Sequence, residues 1–220
     1  MRIAFPYQKI NFLIAVMGLA LIIAVFSFHK DPSLKYKIKN IELNSEAIYL
    51  IQRGTTGKLG NVAKDFNINN KYASHLGIGF VNNNILTIYH VYVDKNKNNN
   101  NLYIDSIDEF ISPEDLNYLS IWKLKNIDTA SFKHIKQTLH ESEKENINFD
   151  FKFEENNKAY YCSEFIVRIL EKNNIKIMSD HKKNIVGMMS QILKKDTLTY
   201  FPVDGFENSN QVIKIFEWIK

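Results

Sequence analysis

Ala73-Ser74-His75-Leu76-Gly77-Ile78-Gly79-Phe80-Val81-Asn82-Asn83-Asn84-Ile85-Leu86-Thr87-Ile88-Tyr89-His90-Val91 reads as two strands joined by an asparagine turn. Both runs, 74–81 and 85–93, are rich in Ile, Val, Leu, Phe and Tyr, and asparagine tolerates the left-handed backbone of a tight turn. A turn of two or four residues makes His75 and His90 direct cross-strand partners, on one face with Gly77, Gly79, Leu86 and Ile88. A three-residue turn separates the two rings onto opposite faces. Gly77 and Gly79 take side chains away from that face, so another element can come close to it.

The flanking chain extends the same pattern. Residues 47–52 form an earlier strand candidate, and 102–111 and 118–124 two later ones. Residues 130–145 carry the spacing of an amphipathic surface helix, and 146–157 a polar connection holding Phe149, Phe151 and Phe153. Residues 162–172 have the strongest helical pattern of the domain, 183–195 are a third expected helix, and 212–218 alternate like a closing strand. The expected fold is α+β, a central antiparallel sheet packed against helices. The domain takes up 45–220.

Ahead of it, residues 12–26 carry no charged or strongly polar side chain, and ten of them are Phe, Leu, Ile or Val. At mid-membrane these ten favour insertion by about 3 to 6 kcal/mol. With its neighbours the stretch 10–28 is long enough to cross a bilayer. Residues 1–9 supply a basic n-region through Arg2 and Lys9, and 29–44 a polar linker. No Ala-x-Ala cleavage pattern follows, so 10–28 is expected to remain as a single-pass transmembrane anchor. The expected location of the domain is extracytoplasmic (periplasmic), although Lys30, Lys35, Lys37 and Lys39 outnumber the basic residues before the span. Abundant asparagine without any Asn-x-Ser/Thr site fits a bacterial source. A net charge of +4, from 28 basic and 24 acidic residues, is balanced and dispersed, which argues against a nucleic-acid partner.

Cys162 is the only cysteine in the chain, so no internal disulfide forms. It begins a helix on which Cys162, Phe165, Ile166, Ile169 and Leu170 share a face. One reading is a buried apolar filler. The other is a nucleophile, because free N–H groups at a helix start favour a thiolate and can hold an oxyanion. If that helix packs on the face of His75 and His90, a thiol, a base and a ring-orienting histidine come together. Zinc is the competing use of one Cys and two His, without the paired short spacings zinc sites show. His29, His134, His140 and His181 are expected to be structural or surface residues.

Two segments also carry a resemblance. Ala73-Ser74-His75-Leu76-Gly77-Ile78-Gly79 resembles the Ser-His-hydrophobic-Gly-hydrophobic strand of the circularly permuted papain-like hydrolases. These are relatives of the NlpC-type cell-wall peptidases, and the likeness is to the YiiX/YebB-like amidase group. Phe149-Asp150-Phe151-Lys152-Phe153 and Tyr161-Cys162-Ser163-Glu164-Phe165-Ile166 resemble that group's Tyr-Asp-x-x-Phe and Tyr-Cys-Ser-Glu-Leu-Val. The resemblance implies Cys162 as nucleophile, His75 as base and His90 at the third polar position, with Tyr161 or Ser163 as helpers. A histidine at that third position is closer to the lecithin:retinol acyltransferase-like branch, and the group's opening Gly-Asp is replaced by Ser45-Glu46. The implied activity is a cysteine hydrolase acting on an amide, of a cell-wall peptide or a lipid, without metal or organic cofactor. The alternatives are a thioesterase or acyltransferase, or an anchored binding module in which Cys162 is merely packed.

Overall fold

The computed structural model describes residues 32–93, 100–154 and 159–220. The expected anchor at 10–28 lies outside them; among the described residues no helix is long and apolar enough to cross a membrane. The chain divides between Ile41 and Glu42 into two units. In the first, part of the expected linker is helical: α1 (Pro32–Lys39) carries Lys37 and Lys39 in its last turn, where positive charge is favoured.

The second unit runs β1 (Ile48–Thr55), α2 (Lys58–Lys64), β2 (His75–Asn82), β3 (Ile85–Val91) and β4 (Leu102–Ser106). It continues through α3 (Ile107–Phe110), β5 (Leu116–Leu124), α4 (Thr129–Ser142), β6 (Asn148–Phe149) and β7 (Ala159–Tyr160). It ends with α5 (Cys162–Glu171), β8 (His181–Asn184), α6 (Met188–Leu193), β9 (Thr197–Tyr200) and β10 (Val212–Ile219). Six strands form one antiparallel sheet in the order β10-β5-β1-β2-β3-β4. The expected central antiparallel sheet is therefore present.

The β2–β3 turn has two central residues, Asn83 and Asn84, both with positive φ (49° and 62°). That is the turn whose twist matches a hairpin. It pairs Asn82 with Ile85 and Gly79 with Ile88. His75 and His90 therefore share a face, as expected, but they are not directly opposite; the register is offset by two residues and the rings meet diagonally.

Alternation then sorts the sheet into two faces. Leu50, Leu76, Ile78, Phe80, Tyr89 and Trp122 join one core cluster with Phe132, Ile135 and Leu139 of α4 and Phe165, Ile166, Ile169 and Leu170 of α5. The other parity carries Ile51, Arg53, His75, Gly77, Ile88 and His90, with Phe110 of α3 over it: a Cβ on Gly77 would lie 2.5 Å from Ile88 Cγ2 and 3.3 Å from Phe110 Cε2. The expectation that the Cys162 helix packs on the glycine and histidine face is thus corrected. Its apolar stripe finds a larger partner in the Leu76, Ile78 and Phe80 row, and the room left by Gly77 is taken by Ile88 and Phe110.

Two further expectations change. The strand expected over 102–111 stops at Ser106, whose hydroxyl and Glu109 cap α3 reciprocally. The helix expected over 183–195 is split between β8 and α6. Gly187 between them has φ 67°, a conformation that ends regular structure.

Candidate active site

His75 is the first residue of β2 and sits opposite Arg53 of β1. Its Nε2 lies 2.8 Å from His90 Nδ1, and His90 Nε2 lies 2.9 Å from Asp105 Oδ2 on β4. Asp105 pairs directly with Ile88, so each link in this chain is a diagonal contact across neighbouring strands. The histidines are 7% and 1% exposed. An imidazole has one N–H and one lone pair, which orders the chain. With the Asp105 carboxylate accepting from His90 Nε2–H, His90 Nδ1 must accept, and His75 Nε2–H must donate to it. The lone pair of His75 is then on Nδ1, the nitrogen that does not face His90.

Arg53 is the second buried polar group of this face, 5% exposed. Its Nη1 donates to the Phe110 carbonyl at 2.6 Å, and the guanidinium carbon stands 4.6 Å from the Phe110 ring centre and 5.1 Å from that of Tyr92. These contacts hold a cation in a dense site. Burial lowers its pKa, against which the acidic groups of Tyr92, Asp105, Cys162 and Asp115 act. The same burial, then the Arg53 charge and then His90, push His75 well below its ordinary value, so its ring is neutral near pH 7.

Cys162 is the first residue of α5, whose cap residue Tyr161 makes no side-chain capping bond. The residue keeps some surface, yet its surroundings are dense, and burial pushes the thiol above its usual range. The backbone amides of Leu76 and Ser163, then the Arg53 charge, pull partly the other way. The expected thiolate is therefore corrected to a protonated thiol: desolvation outweighs the helix start. Although α5 lies on the other face, its first turn reaches the end of β2, so the sulfur stands at the amide of Leu76, next in sequence to His75. Tyr161 and Ser163 anchor that turn. Tyr161 OH accepts from the Phe201 amide at 2.8 Å and Ser163 Oγ donates to the Phe201 carbonyl at 2.6 Å.

The structure thus brings His75 and His90 into direct contact, with Cys162 at the adjacent peptide. It adds Asp105 and Arg53, which reading the sequence missed. Both sit at the parity of His75 and His90, but finding them requires the order of the strands. The other described histidines have structural partners: His134 with Asn173, His140 with Tyr89 and Glu143, and His181 against the Tyr200 ring. His29 lies outside the described residues. Among the described residues no three His, Cys, Asp or Glu side chains converge on a point that could hold a metal ion.

No protein-family model matches the chain. No curated protein matches it in sequence. Its fold is similar to the crystal structure of the metalloprotein YiiX from Escherichia coli O157:H7, at a TM-score of 0.61 and 12% identity, over 79% of this chain and 98% of that one. At that identity the likeness concerns architecture: this chain has a YiiX-like fold.

Proposed function

We propose that the protein is a cysteine hydrolase of the permuted papain-like, NlpC-related type, cleaving an amide through an acyl-enzyme on Cys162. The observation that carries this reading is the ordered chain His75–His90–Asp105, with the backbone amide of Leu76, next in sequence to His75, at the Cys162 thiol. A chain that leaves a buried neutral imidazole with its lone pair unshared by the other histidine suits a general base. The YiiX-like fold and the Tyr161-Cys162-Ser163-Glu164 segment support it. The membrane anchor at 10–28, which rests on hydropathy, and the extracytoplasmic location of the domain belong to the same proposal.

The chemistry starts from a neutral pair, because burial raises the thiol and lowers the histidine. As sulfur bonds to the substrate carbonyl carbon, its proton passes to His75 Nδ1, and the carbonyl π electrons move to oxygen. In this reading the amide of Cys162 and the Arg53 cation, which acts on the thiol, stabilise that oxyanion. Collapse of the tetrahedral species breaks the C–N bond, and His75 returns the proton to the leaving amine. Water, deprotonated by the same nitrogen, then cleaves the thioester to give the acid and the free thiol. His90 and Asp105 hold the tautomer and partly neutralise the transient imidazolium. A thioester substrate, or acyl transfer to a second amine or alcohol, uses the same steps.

YiiX is described as a metalloprotein, so a metal is the other use to weigh. The donors here do not fit one. Both nitrogens of His90 are committed, to His75 and Asp105, and no third ligand joins them among the described residues.

The test is acylation by p-nitrophenyl acetate, followed by mass spectrometry of the Cys162 peptide. The expected result is one acetyl group on Cys162, forming at least about 10²-fold more slowly in His75→Ala. Alkylation by iodoacetamide should rise with pH through and beyond the ordinary thiol range. No adduct at Cys162, or an adduct indifferent to His75, overturns the reading.

A further inference from the structure

The connection from β8 through α6 to β9 leaves an apolar group in solvent. Val186 is 84% exposed, Met188 76% and Ile192 70%. Met188 and Ile192 are four residues apart on α6 and share one face, and Val186 precedes them across Gly187. The rest of the segment is rooted. Ile185 is buried with Tyr161, Leu198 and Tyr200, and Met189 and Leu193 pack against that cluster. Left-handed residues bound α6 on both sides, Gly187 at φ 67° and Lys194 at φ 53°. Apart from its chain neighbours, a Cβ on Gly187 would meet no atom within 4 Å. The turn therefore stands in open space, as a tip on a packed base.

The charge around this tip has one predominant sign. Residues 181–195 include Lys182, Lys183, Lys194 and Lys195 and no acid. No ion pair among the described residues involves any of the four. Lys183 donates to the Asp65 carbonyl, and Lys195 to the carbonyls of Lys152 and Phe153 at 3.0 and 3.1 Å. These acceptors are neutral and leave the charges uncompensated. Lys182 and Lys194 are exposed. Asp180 and Asp196 flank the segment, so four lysines against two acids leave 180–196 positive. Exposed aliphatic side chains flanked by such lysines suit an anionic bilayer surface, where apolar groups leave water and ammonium groups stay at the phosphates. A protein partner would need a pocket matched to this open tip, whereas a bilayer yields to it.

We propose that residues 186–192 are a membrane-docking tip, with Val186, Met188 and Ile192 entering an anionic bilayer surface and Lys182 and Lys194 meeting its phosphates. The proposal does not depend on Cys162 being a nucleophile. The test uses the full-length chain with Cys162→Ala and Met188→Cys, carrying a nitroxide spin label at position 188. The chain is reconstituted from detergent into phosphatidylcholine vesicles with or without about 30% phosphatidylglycerol. Oxygen, which concentrates in lipid, should relax the label in anionic vesicles more than a neutral water-soluble nickel chelate does, with the order reversed in neutral vesicles. Lys182→Glu combined with Lys194→Glu should lower the ratio of inserted to exposed label at least about fivefold, since each lysine near an anionic surface is worth about that factor. A label at position 192 repeats the measurement if the first perturbs the fold. A label open to the nickel chelate in both vesicles, or insertion indifferent to the two lysines, overturns the tip. Spin–spin broadening that grows with protein density, without preferential relaxation by oxygen, assigns the face to a second copy and overturns it too. Flotation with the vesicles reports the span at 10–28 and the label reports the tip, so the two readings fail separately.

Discussion

Gln52 and Arg53 are consecutive on β1, both buried, and point to opposite faces of the sheet. On the Gln52 side, Nε2 donates to Val203 O and Glu207 Oε1, while Oε1 accepts from Ser120 Oγ at 2.6 Å and from Trp122 Nε1 at 3.3 Å. Every atom of that amide has a partner fixed by the fold, and the network ties β1, β5 and residues 203–207 together. On the Arg53 side the neighbours are His75 and the titratable groups of Asp105 and Cys162. Burial of a polar side chain is common to both. What separates a structural network from a candidate site is whether every polar atom is consumed by fixed partners or titratable groups are gathered beside a thiol.

The contrast can be broken directly. Arg53→Met should slow acylation of Cys162 by about 10²-fold, losing a charge near the thiol and the oxyanion, and change stability by less than about 1 kcal/mol. Gln52→Leu should do the reverse, lowering stability by about 2 kcal/mol in urea melts while leaving acylation per folded molecule unchanged. If the two results were exchanged, the assignment of the faces would be wrong. Asp105→Asn should reduce acylation about tenfold, because an amide can orient His90 by either end and supports the imidazolium less.

The smallest effect concerns pH. The folded pKa of His75 is depressed, so below the unfolded value of 6.5 the unfolded chain binds more protons. Stability attributable to this ring is fully present above 6.5 and falls as the solution is acidified, by at most about 1.4 kcal/mol per pH unit. Urea unfolding at pH 7.5 and 5.5 should show this loss in the wild type and a smaller one in His75→Gln. Equal losses would show that His75 is not held neutral.

Much of the core was legible in single segments. The two asparagines of the hairpin and its apolar runs set a register parity, and parity alone places His75 and His90 on one side. The stripe Phe165, Ile166, Ile169 and Leu170 announces a buried helix with Cys162 at its start. Residues 183–195 misled because a short hairpin with a glycine kink has the same apolar content as a short helix. Asp105 is one acid in the middle of a short strand, and nothing local distinguishes it from a solvated edge residue.

The sequence by itself therefore determined the hairpin, the helix beginning at Cys162 and the shared face of the two histidines, because these depend on periodicity within a few residues. Only the tertiary structure decided the rest. Strand order brings Asp105 to His90 and Arg53 to His75. Competition between two sheet faces for the α5 stripe sends the helix to the Leu76 side, so the thiol stands at the Leu76 amide, at the end of β2, instead of across the histidine face. The balance of desolvation against nearby charge, which leaves the thiol protonated and His75 neutral, depends on every atom packed around them, and no local pattern encodes it.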